Sequence, residues 1–425
     1  MPSWVPGSPH PAAAGPGLYL ALGAISLSAG LVAAALISKT TQTPPQNRTT
    51  TAATAIPSPL KTHLPSLSPA EVALLPYPPT VLPGARSVPT PYGSIHVFEF
   101  GPEAGEKVLL LHGISTPCVA LGTVAEELAG RGYRVMLFDF FGRGYSDTPT
   151  GVEFDVRLYT TQILLVLASS RLGWMGDDGF HLVGYSLGGG IAAAFARWFP
   201  RMVRSVVVVA GGGLIRAAHV SWRSRMLYTR GWLPEGLLMG LIRRRLMPKR
   251  GEEGVTTETK MAGEVVDVGQ GGKHKNSDAS GGHGFDNAVL LARRPGHTVS
   301  SVMGWQLRHH EGFIPAFVSS IRHAPIYEQK EDWYALGQLL AERRERDTTG
   351  WEDAADGLPG LRGGKILLVL GADDPVIVKE ELVHDATAVL GEDGFEAVLL
   401  NCGHELVMTN GTEVAGVITG FWGQP

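Results

Sequence analysis

The sequence predicts an α/β protein built on a mostly parallel sheet, and two features of the chain support this fold class. Short apolar runs alternate with segments of helical patterning along most of the chain. One run, at residues 180–183, leads through the pentapeptide Gly-Tyr-Ser-Leu-Gly into an alanine-rich helical segment. Strands that alternate with helices are typical of a parallel sheet with helices on both faces, whose ligand sites lie at the carboxyl ends of the strands.

Eight apolar runs have the length and composition of buried strands. They lie at residues 87–89, 94–100, 108–111, 135–138, 180–183, 206–210, 366–370 and 396–400. Helices are predicted between and after them, at residues 119–130, 156–172, 187–199, 378–390 and 405–421. The predicted architecture is therefore an eight-stranded, mostly parallel sheet covered by helices.

The bulk composition is that of a globular protein and narrows the classes of partner. The chain has 425 residues, of which 44% are hydrophobic and 18% charged, and its net charge is −4. This charge gives no signal for nucleic-acid binding. Cys118 and Cys402 are too few for a disulfide framework and are predicted to be free thiols. No spacing of Cys and His indicates a metal site, and no cofactor is predicted.

An apolar segment at residues 17–38 contains no charged residue and predicts a transmembrane helix, so residues 1–38 are interpreted as a membrane anchor. A cleaved signal peptide is the alternative. Signal peptides usually carry Lys or Arg before the apolar region, and residues 1–16 contain neither. The sequence therefore favours a retained single-pass anchor.

The side of the membrane on which the rest of the chain lies is indicated only weakly. Lys39, Arg48 and Lys61 follow the apolar segment, and the positive-inside rule then places the remainder in the cytosol. The glycosylation sequons at Asn47 and Asn410 argue for the opposite side. A cytosolic catalytic part is the preferred expectation.

The remaining chain divides into a linker, two parts of a core and an insertion. Residues 39–85 are rich in Thr, Pro and Ala and are interpreted as an extended linker. The predicted sheet falls in residues 86–212 and 363–425. The insertion at 213–362 is interpreted as a lid over the site, and its stretch 251–284 is predicted to be disordered because it contains few core-forming residues.

The lid begins with an apolar and strongly basic segment at residues 222–247, which contains six Arg and one Glu. Two interpretations of this segment stay open. It is a solvated helix, or it docks against anionic lipid headgroups beside the predicted anchor. Helical patterning returns at residues 297–327.

Ser186 is the candidate nucleophile. It stands at the centre of Gly-x-Ser-x-Gly between a predicted strand and a predicted helix, which is the context that makes this pattern specific. The turn is too sharp for a Cβ at Gly184 or Gly188, and it leaves the serine hydroxyl projecting at the top of the sheet. Because a serine hydroxyl is almost fully protonated at neutral pH, it needs a general base and a group that orients this base.

The base and its partner are predicted after two later strands. His404 follows the strand at 396–400, with a glycine before it to turn the chain. The strand at 366–370 is followed by Asp373 and Asp374. A carboxylate there can accept a hydrogen bond from the second imidazole nitrogen, and the order Ser, Asp, His along the chain fits a sheet of this type. The pattern of residues leaves open which aspartate has this role.

The third predicted strand ends in His112, Gly113 and Ile114, which offer an oxyanion site. The backbone N–H groups of Ile114 and Leu187 are predicted to hold the developing negative charge. His112 is expected to shape this loop rather than to act as the base, and Gly113 to support it. The glycine-rich segment 139–147 after the next strand is expected to have a structural role.

With these motifs in this order, the chain resembles the α/β-hydrolase superfamily, in the branch with His-Gly after the third strand and Asp-x-x-Gly-x-Gly-x-Ser after the fourth. The resemblance covers residues 86–212 and 363–425. It implies the α/β-hydrolase fold, with Ser186 as nucleophile, His404 as base and Asp374 as acid, because the acid of this family usually stands three residues after the glycine that ends its strand. Epoxide hydrolases and dehalogenases of this fold use an aspartate nucleophile, so the serine argues against them.

The branch includes carboxylesterases, monoacylglycerol lipases and carbon–carbon bond hydrolases. Together with the predicted anchor, the resemblance implies a membrane-anchored serine hydrolase of the carboxylesterase or lipase type. We expect it to cleave small-molecule or lipid esters through an acyl-enzyme and to meet the membrane through the N-terminal helix. The basic part of the lid is a second contact under the interpretation in which it docks on anionic lipid. Two alternatives stay open, namely carbon–carbon bond hydrolysis by the same residues and a hydrolase fold without catalysis that serves as a binding module.

Overall fold

The computed structural model describes residues 55–220, 222–231, 233–246, 283–349 and 359–423. The predicted anchor at residues 1–38 lies outside these ranges. So do residues 39–54 of the predicted linker and residues 251–282 of the stretch predicted to be disordered. Within the described ranges, no helix combines the length and the apolar character that crossing a bilayer requires.

An eight-stranded sheet forms the centre of the protein. The strands of the described residues are β1 (Ala55–Ile56), β2 (Arg86–Thr90), β3 (Gly93–Phe100), β4 (Lys107–Leu111), β5 (Arg134–Phe138), β6 (Thr148–Pro149), β7 (Phe180–Tyr185), β8 (Val203–Val209), β9 (Ile366–Gly371) and β10 (Phe395–Leu400). The order across the large sheet is β10-β9-β8-β7-β4-β5-β3-β2. β3 pairs antiparallel with both β2 and β5, and all other neighbours are parallel. The predicted mostly parallel, eight-stranded sheet is confirmed.

The central strands are largely apolar because helices cover both faces of the sheet. Every residue of β7 and of β9 is buried. Parallel strands inside an α/β fold bury both faces in this way. The edge strand β10 differs, since Leu400 at its end is buried whereas the side chain of Leu399 is 53% exposed.

The helices lie on both sides of this sheet and in the insertion after β8. Those of the described residues are α1 (Pro59–Thr62), α2 (Pro69–Leu74), α3 (Gly122–Gly130), α4 (Val156–Ala168), α5 (Leu187–Trp198), α6 (Trp222–Tyr228), α7 (Glu235–Leu246), α8 (His283–Asn287), α9 (Val299–His309), α10 (Phe313–His323), α11 (Lys330–Thr349), α12 (Lys379–Leu390), α13 (Leu406–Thr409) and α14 (Gly411–Phe421). α5 packs on β7 and β8, and α14 packs on α3 and β9.

Two predicted helices differ most from the structure. The helix predicted at 156–172 ends at Ala168, and the one predicted at 405–421 is divided into α13 and α14 at Asn410. The backbone of Asn410 has φ −118° and ψ 25°, outside the helical range. A Cβ at Gly411 would lie 2.8 Å from Cγ2 of Thr123, so the division falls where the chain passes close to α3.

The prediction of an extended linker is wrong for residues 55–85, which are folded. α1 and α2 each begin with a proline after a serine, a position where proline favours a helix. Leu64 and Leu82 are buried, and Tyr77 is fully buried with its hydroxyl 3.0 Å from Oδ2 of Asp139. The Pro and Thr content suggested a tether, but the few apolar residues of the segment are enough to attach it to the core.

The predicted lid at 213–362 is also too long, because its last helix belongs to the core. α11 packs against α5 and α12, and its residues Trp333, Leu336 and Leu340 are fully buried. An amphipathic helix has the same sequence pattern whether it covers a sheet or a pocket, so the pattern did not reveal this boundary. We call α6 to α10 the lid helices. α8 begins at His283, inside the stretch that was predicted to be disordered.

Candidate active site

Ser186 lies at the sharp turn between β7 and α5. Its backbone has φ 53° and ψ −120°, a strained conformation for a residue with a side chain. A Cβ at Gly184 would lie 2.1 Å from the carbonyl oxygen of Gly188, and a Cβ at Gly188 would lie 2.3 Å from that of Leu111. Close approach of the backbone therefore requires both glycines, and the serine is held at the carboxyl end of the sheet.

The imidazole of His404 lies beside the hydroxyl of Ser186. Its Nε2 is 3.1 Å from Oγ of Ser186, and its Nδ1 is 2.8 Å from Oδ2 of Asp374. These residues follow β10, β7 and β9, so the strand order brings together side chains that are up to 218 positions apart in the chain. With Nδ1–H donated to the carboxylate, Nε2 is free to accept the proton of the hydroxyl. The arrangement can activate the serine for attack on a carbonyl carbon.

The aspartate that faces the imidazole is Asp374 and not Asp373. The side chain of Asp374 is buried, and its second oxygen, Oδ1, accepts hydrogen bonds from the amides of Val376 and Ile377 at 2.8 and 2.9 Å. Asp373 is exposed. The alternative that the residue pattern left open is thus decided by the direction of the turn after β9.

Two aromatic rings hold His404 in place. The hydroxyl of Tyr185 donates to the carbonyl oxygen of His404 at 2.9 Å, and the two rings lie 5.4 Å apart. The ring of Phe285, from lid helix α8, stacks on the imidazole at 6.1 Å with an angle of 20°. Sequence reasoning missed Phe285, because one aromatic residue at the end of a Gly- and Ser-rich stretch carries no signal. Its burial indicates that the lid covers the imidazole.

The two predicted oxyanion donors lie at the same end of the sheet as Ser186. Ile114 follows β4, and Leu187 is the first residue of α5, where a backbone N–H has no acceptor within its helix. A Cβ at Gly113 would lie 3.4 Å from the Cβ of Ser186. The loop after β4 therefore passes directly beside the serine, where an amide can meet the developing negative charge.

His112 is buried behind this loop and shapes it. Its Nε2 accepts a hydrogen bond from the amide of Phe140 at 2.8 Å, so Nδ1 carries the proton and donates it to the carbonyl oxygen of Gly113 at 2.8 Å. Burial, followed by the positive charge of Arg143, lowers the pKa of His112 to about 3. The imidazole is neutral at physiological pH. Its hydrogen bond polarises the peptide group whose N–H belongs to Ile114, which strengthens that donor.

The glycine-rich segment 139–147 connects the site to the folded N-terminal part. Asp139 accepts hydrogen bonds from the hydroxyl of Tyr77 and from the amides of Cys118 and Tyr145, at 3.0, 3.0 and 2.9 Å. Burial raises the pKa of this carboxyl group. These contacts give the segment a structural role beside the loop after β4, which we call the oxyanion loop after its predicted role.

Cys118 and Cys402 are free thiols, as predicted. Burial raises the pKa of both thiols, which disfavours the reactive thiolate. In the part of the chain that the structure describes, no three residues of the His, Cys, Asp and Glu types are grouped so that they could hold a metal ion.

Comparison with known proteins identifies the architecture. The family model of the alpha/beta hydrolase fold matches residues 107–239. The protein has the α/β-hydrolase fold. A solved 2-hydroxy-6-oxo-6-phenylhexa-2,4-dienoate hydrolase from a Rhodococcus strain has a similar structure. The TM-score is 0.51 at 16% identity, over 80% of this chain and 98% of that one. A likeness at this identity concerns the fold.

Two curated relatives share parts of this sequence. An uncharacterised protein of Mycobacterium tuberculosis is 30% identical over 210 residues, which are 48% of this chain and 53% of that protein. Lipase 1 of Psychrobacter immobilis is 30% identical over 115 residues, which are 27% of this chain and 34% of that lipase. The chain thus spans about half, or less, of the length of the relatives that it matches.

Proposed function

We propose that the protein is a serine hydrolase that cleaves carboxylic esters through an acyl-enzyme. The observation that supports this most is the chain of hydrogen bonds from Ser186 through His404 to Asp374. Nε2 of His404 lies 3.1 Å from Oγ of Ser186, and its Nδ1 lies 2.8 Å from Oδ2 of Asp374. Such an arrangement supplies a nucleophile, its base and the group that orients the base. The strained backbone at Ser186 points to the same conclusion, because strain of this kind concentrates at functional sites.

Acylation begins when Oγ of Ser186 attacks the ester carbonyl carbon. Nε2 of His404 accepts the hydroxyl proton as the bond forms, and the carboxylate of Asp374 stabilises the imidazolium. The negative charge on the carbonyl oxygen is held by the amides of Ile114 and Leu187. When the tetrahedral intermediate collapses, the carbon–oxygen bond to the alcohol breaks, and His404 returns the proton to the leaving alcohol.

Deacylation repeats these steps with water as the nucleophile. Nε2 of His404 removes a proton from the water, the hydroxide oxygen bonds to the acyl carbon, and the same two amides hold the charge. The bond to Oγ of Ser186 then breaks, and His404 gives its proton back to the serine. The products are a carboxylic acid and an alcohol, and the enzyme is restored.

The substrate that fits best is a lipophilic ester. The ring of Phe285 covers the imidazole, so the approach to the site from this side is apolar. The similarity to a lipase over 115 residues favours the same class. The predicted anchor at 17–38 would place the enzyme at a membrane, and an ester with an apolar acyl chain or alcohol would partition into that membrane.

Lid helix α7 has the surface expected of a helix that meets a membrane. Its inner face is formed by Leu238 and Ile242, which are buried. On the outer side, Leu237 and Leu241 are 53% and 44% exposed, and Arg244 is exposed beside them. Exposed leucines next to cationic side chains suit a bilayer with anionic headgroups. We propose that the hydrolase is a single-pass membrane protein with its catalytic part in the cytosol, and that α7 faces the same bilayer.

The reaction is tested with p-nitrophenyl esters of short and long acyl chains and with a fluorophosphonate probe. Wild type should hydrolyse the esters, prefer the long chain and be labelled by the probe, whereas Ser186→Ala should lose activity and labelling. A clear preference for the two-carbon ester would remove the lipophilic substrate. Labelling without ester hydrolysis, together with cleavage of a vinylogous diketone, would make the protein a carbon–carbon bond hydrolase. The absence of labelling and of both activities would make it a binding module.

The membrane contact of α7 is tested by flotation of the chain without its first 54 residues on vesicles. We expect binding to vesicles with anionic lipids that is weakened by salt and is lost in the double variant Leu237→Ser and Leu241→Ser. The control is Leu399→Ser, which changes another exposed leucine on the edge strand β10. Equal binding by the double variant and the control would exclude α7 as the contact.

A further inference from the structure

Arg143 is a fully buried cation between the oxyanion loop and the lid. Its Nε donates to the carbonyl oxygen of Ile114 at 2.8 Å, and its Nη1 donates to that of Phe141 at 3.2 Å. Its Nη2 donates to Oγ of Ser320, on lid helix α10, at 2.9 Å. The ring of Phe313 from the same helix lies 5.8 Å from the guanidinium carbon. One side chain thus joins the loop after β4 to the lid.

The position of this charge is unusual. Among the residues that the structure describes, Arg143 forms no ion pair with a carboxylate. The groups that it contacts are two carbonyl oxygens, the hydroxyl of Ser320 and the ring of Phe313. Removing a cation from water is costly unless its donors are satisfied. Three of its N–H groups have acceptors here, and two of these hydrogen bonds persist only while Ser320 and the carbonyl of Ile114 keep their places. A displacement of the lid from the loop would therefore break hydrogen bonds of a buried charge, which is costly.

Ser320 is itself held from two sides. Its hydroxyl donates to the carbonyl oxygen of Ala316 at 2.7 Å, so it must accept from both of its other partners. These partners are Arg143 and the hydroxyl of Tyr159, which lies 2.8 Å away on α4. Ser320 and Tyr159 are both buried. The serine is consequently a fixed acceptor for the guanidinium and does not rotate freely.

Gln306 makes a second connection of the same kind from lid helix α9. Its Oε1 accepts a hydrogen bond from the amide of Gly144 at 2.7 Å, and its Nε2 donates to the carbonyl oxygen of Ser115 at 3.1 Å. The side chain is fully buried. Ile114 and Ser115 are consecutive residues, and the carbonyl of each is held by a side chain that connects it to a lid helix.

We propose that Arg143 and Gln306 are positioning residues through which lid helices α9 and α10 set the place of the oxyanion loop. The proposal rests on the proposed function, because the N–H of Ile114 is the donor that the two side chains would align. On this view α9 and α10 are a fixed part of the active site.

The test compares two neighbouring serines of α10. Ser320→Ala removes the hydroxyl that accepts a hydrogen bond from Arg143. Ser319→Ala removes a hydroxyl that accepts from the amide of Phe154 at 3.1 Å, a hydrogen bond that does not involve the oxyanion loop. Removing an oxyanion donor costs about 10²–10³ in rate, so a displaced donor should cost about 10-fold in kcat. For Ser320→Ala we expect this loss with KM within about two-fold, and a parallel loss of affinity for a trifluoromethyl ketone inhibitor. Gln306→Met should behave in the same way, and Ser319→Ala as wild type.

A second measurement does not depend on catalysis. Hydrogen–deuterium exchange of the peptide that contains residues 112–118 should be faster in Ser320→Ala and Gln306→Met than in Ser319→Ala, at equal global stability in urea. Unchanged exchange would overturn the coupling even if the enzyme is an esterase. Faster exchange in a protein that hydrolyses no ester would keep the coupling and contradict the proposed function. A rise in KM at constant kcat would assign Ser320 and Gln306 to substrate binding and overturn the proposal.

Discussion

Oδ2 of Asp374 lies 2.8 Å from Nδ1 of His404, and the other oxygen of the same carboxylate is occupied by two backbone amides. A carboxylate held at both oxygens has one orientation, so it fixes the imidazole as well. The proton of the imidazole then stays on Nδ1, and Nε2 remains an acceptor 3.1 Å from Oγ of Ser186. The neighbouring aspartate, Asp373, has no part in this arrangement.

Replacing Asp374 by Asn should impair the reaction far more than it impairs the fold. An amide placed there presents its NH₂ group to Nδ1 and turns the imidazole into the tautomer with the proton on Nε2, which cannot accept the serine proton. A loss of kcat of about 10⁴-fold is expected. The control is Asp373→Asn, whose kcat should stay within about two-fold of wild type. Steady-state kinetics on a p-nitrophenyl ester measures both, and a larger loss in the control would make Asp373 the acid.

Replacing Ser186 by Gly should stabilise the protein while it removes activity. The φ of 53° at this position strains any residue with a Cβ, at a cost of about 1–3 kcal/mol. Glycine removes this strain, and its greater freedom in the unfolded chain offsets about 0.5–1 kcal/mol of the gain. In urea denaturation, Ser186→Gly should exceed Ser186→Ala by about 1 kcal/mol in the free energy of unfolding. An alanine variant as stable as the glycine variant would show that the turn is not strained.

Replacing Tyr77 by Phe should destabilise the core, although the residue lies in a segment with the composition of a linker. The change removes a hydrogen bond to the buried carboxylate of Asp139 and should lower the free energy of unfolding by about 1–3 kcal/mol. Tyr334→Phe is the matched control, since its side chain is 54% exposed, and it should have no measurable effect. Equal stability of the two variants in urea would mean that residues 55–85 do not contribute to the core.

The stability of the protein should fall as the pH is lowered from about 7 to 4. Burial lowers the pKa of His310 to about 4 and that of His112 to about 3. In the unfolded chain both take up a proton near pH 6.5, whereas in the folded protein they stay neutral down to these values. The unfolded state therefore binds more protons between pH 6.5 and about 4, and stability present above pH 6.5 is lost as the pH falls through this window.

The variant His310→Gln isolates one of these groups. At pH 5 the unfolded state gains about 2 kcal/mol from protonating His310 alone, a figure that follows from the 1.5 pH units below 6.5. Urea denaturation at pH 7 and pH 5 should therefore show a loss that is smaller in His310→Gln than in wild type by about this amount. The same pH dependence in both proteins would mean that folding does not lower the pKa of His310, which would then be protonated in the folded state at pH 5.

The fold class and the central residues of the site were predictable from the sequence because their signals are local. The glycines at 184 and 188 mark a turn that has no room for a Cβ at either position, and the serine between them marks the nucleophile. The order of Ser186, Asp374 and His404 follows from the order of the strands. The same local reasoning was wrong for residues 55–85 and for α11. In both cases composition and periodicity depend only on the residues of the segment itself. The role of the segment depends on which surface of the protein it packs against.

The sequence by itself determined the strands, the sharp turn at Ser186 and the residue types that the chemistry needs, since each depends on neighbours within a few positions. Only the tertiary structure decided that Asp374 rather than Asp373 faces the imidazole, that Phe285 covers it and that Arg143 and Gln306 hold the oxyanion loop. These contacts join residues far apart in the chain. Their free energy comes from burial and from hydrogen bonds whose geometry exists only after the helices and the sheet have packed together.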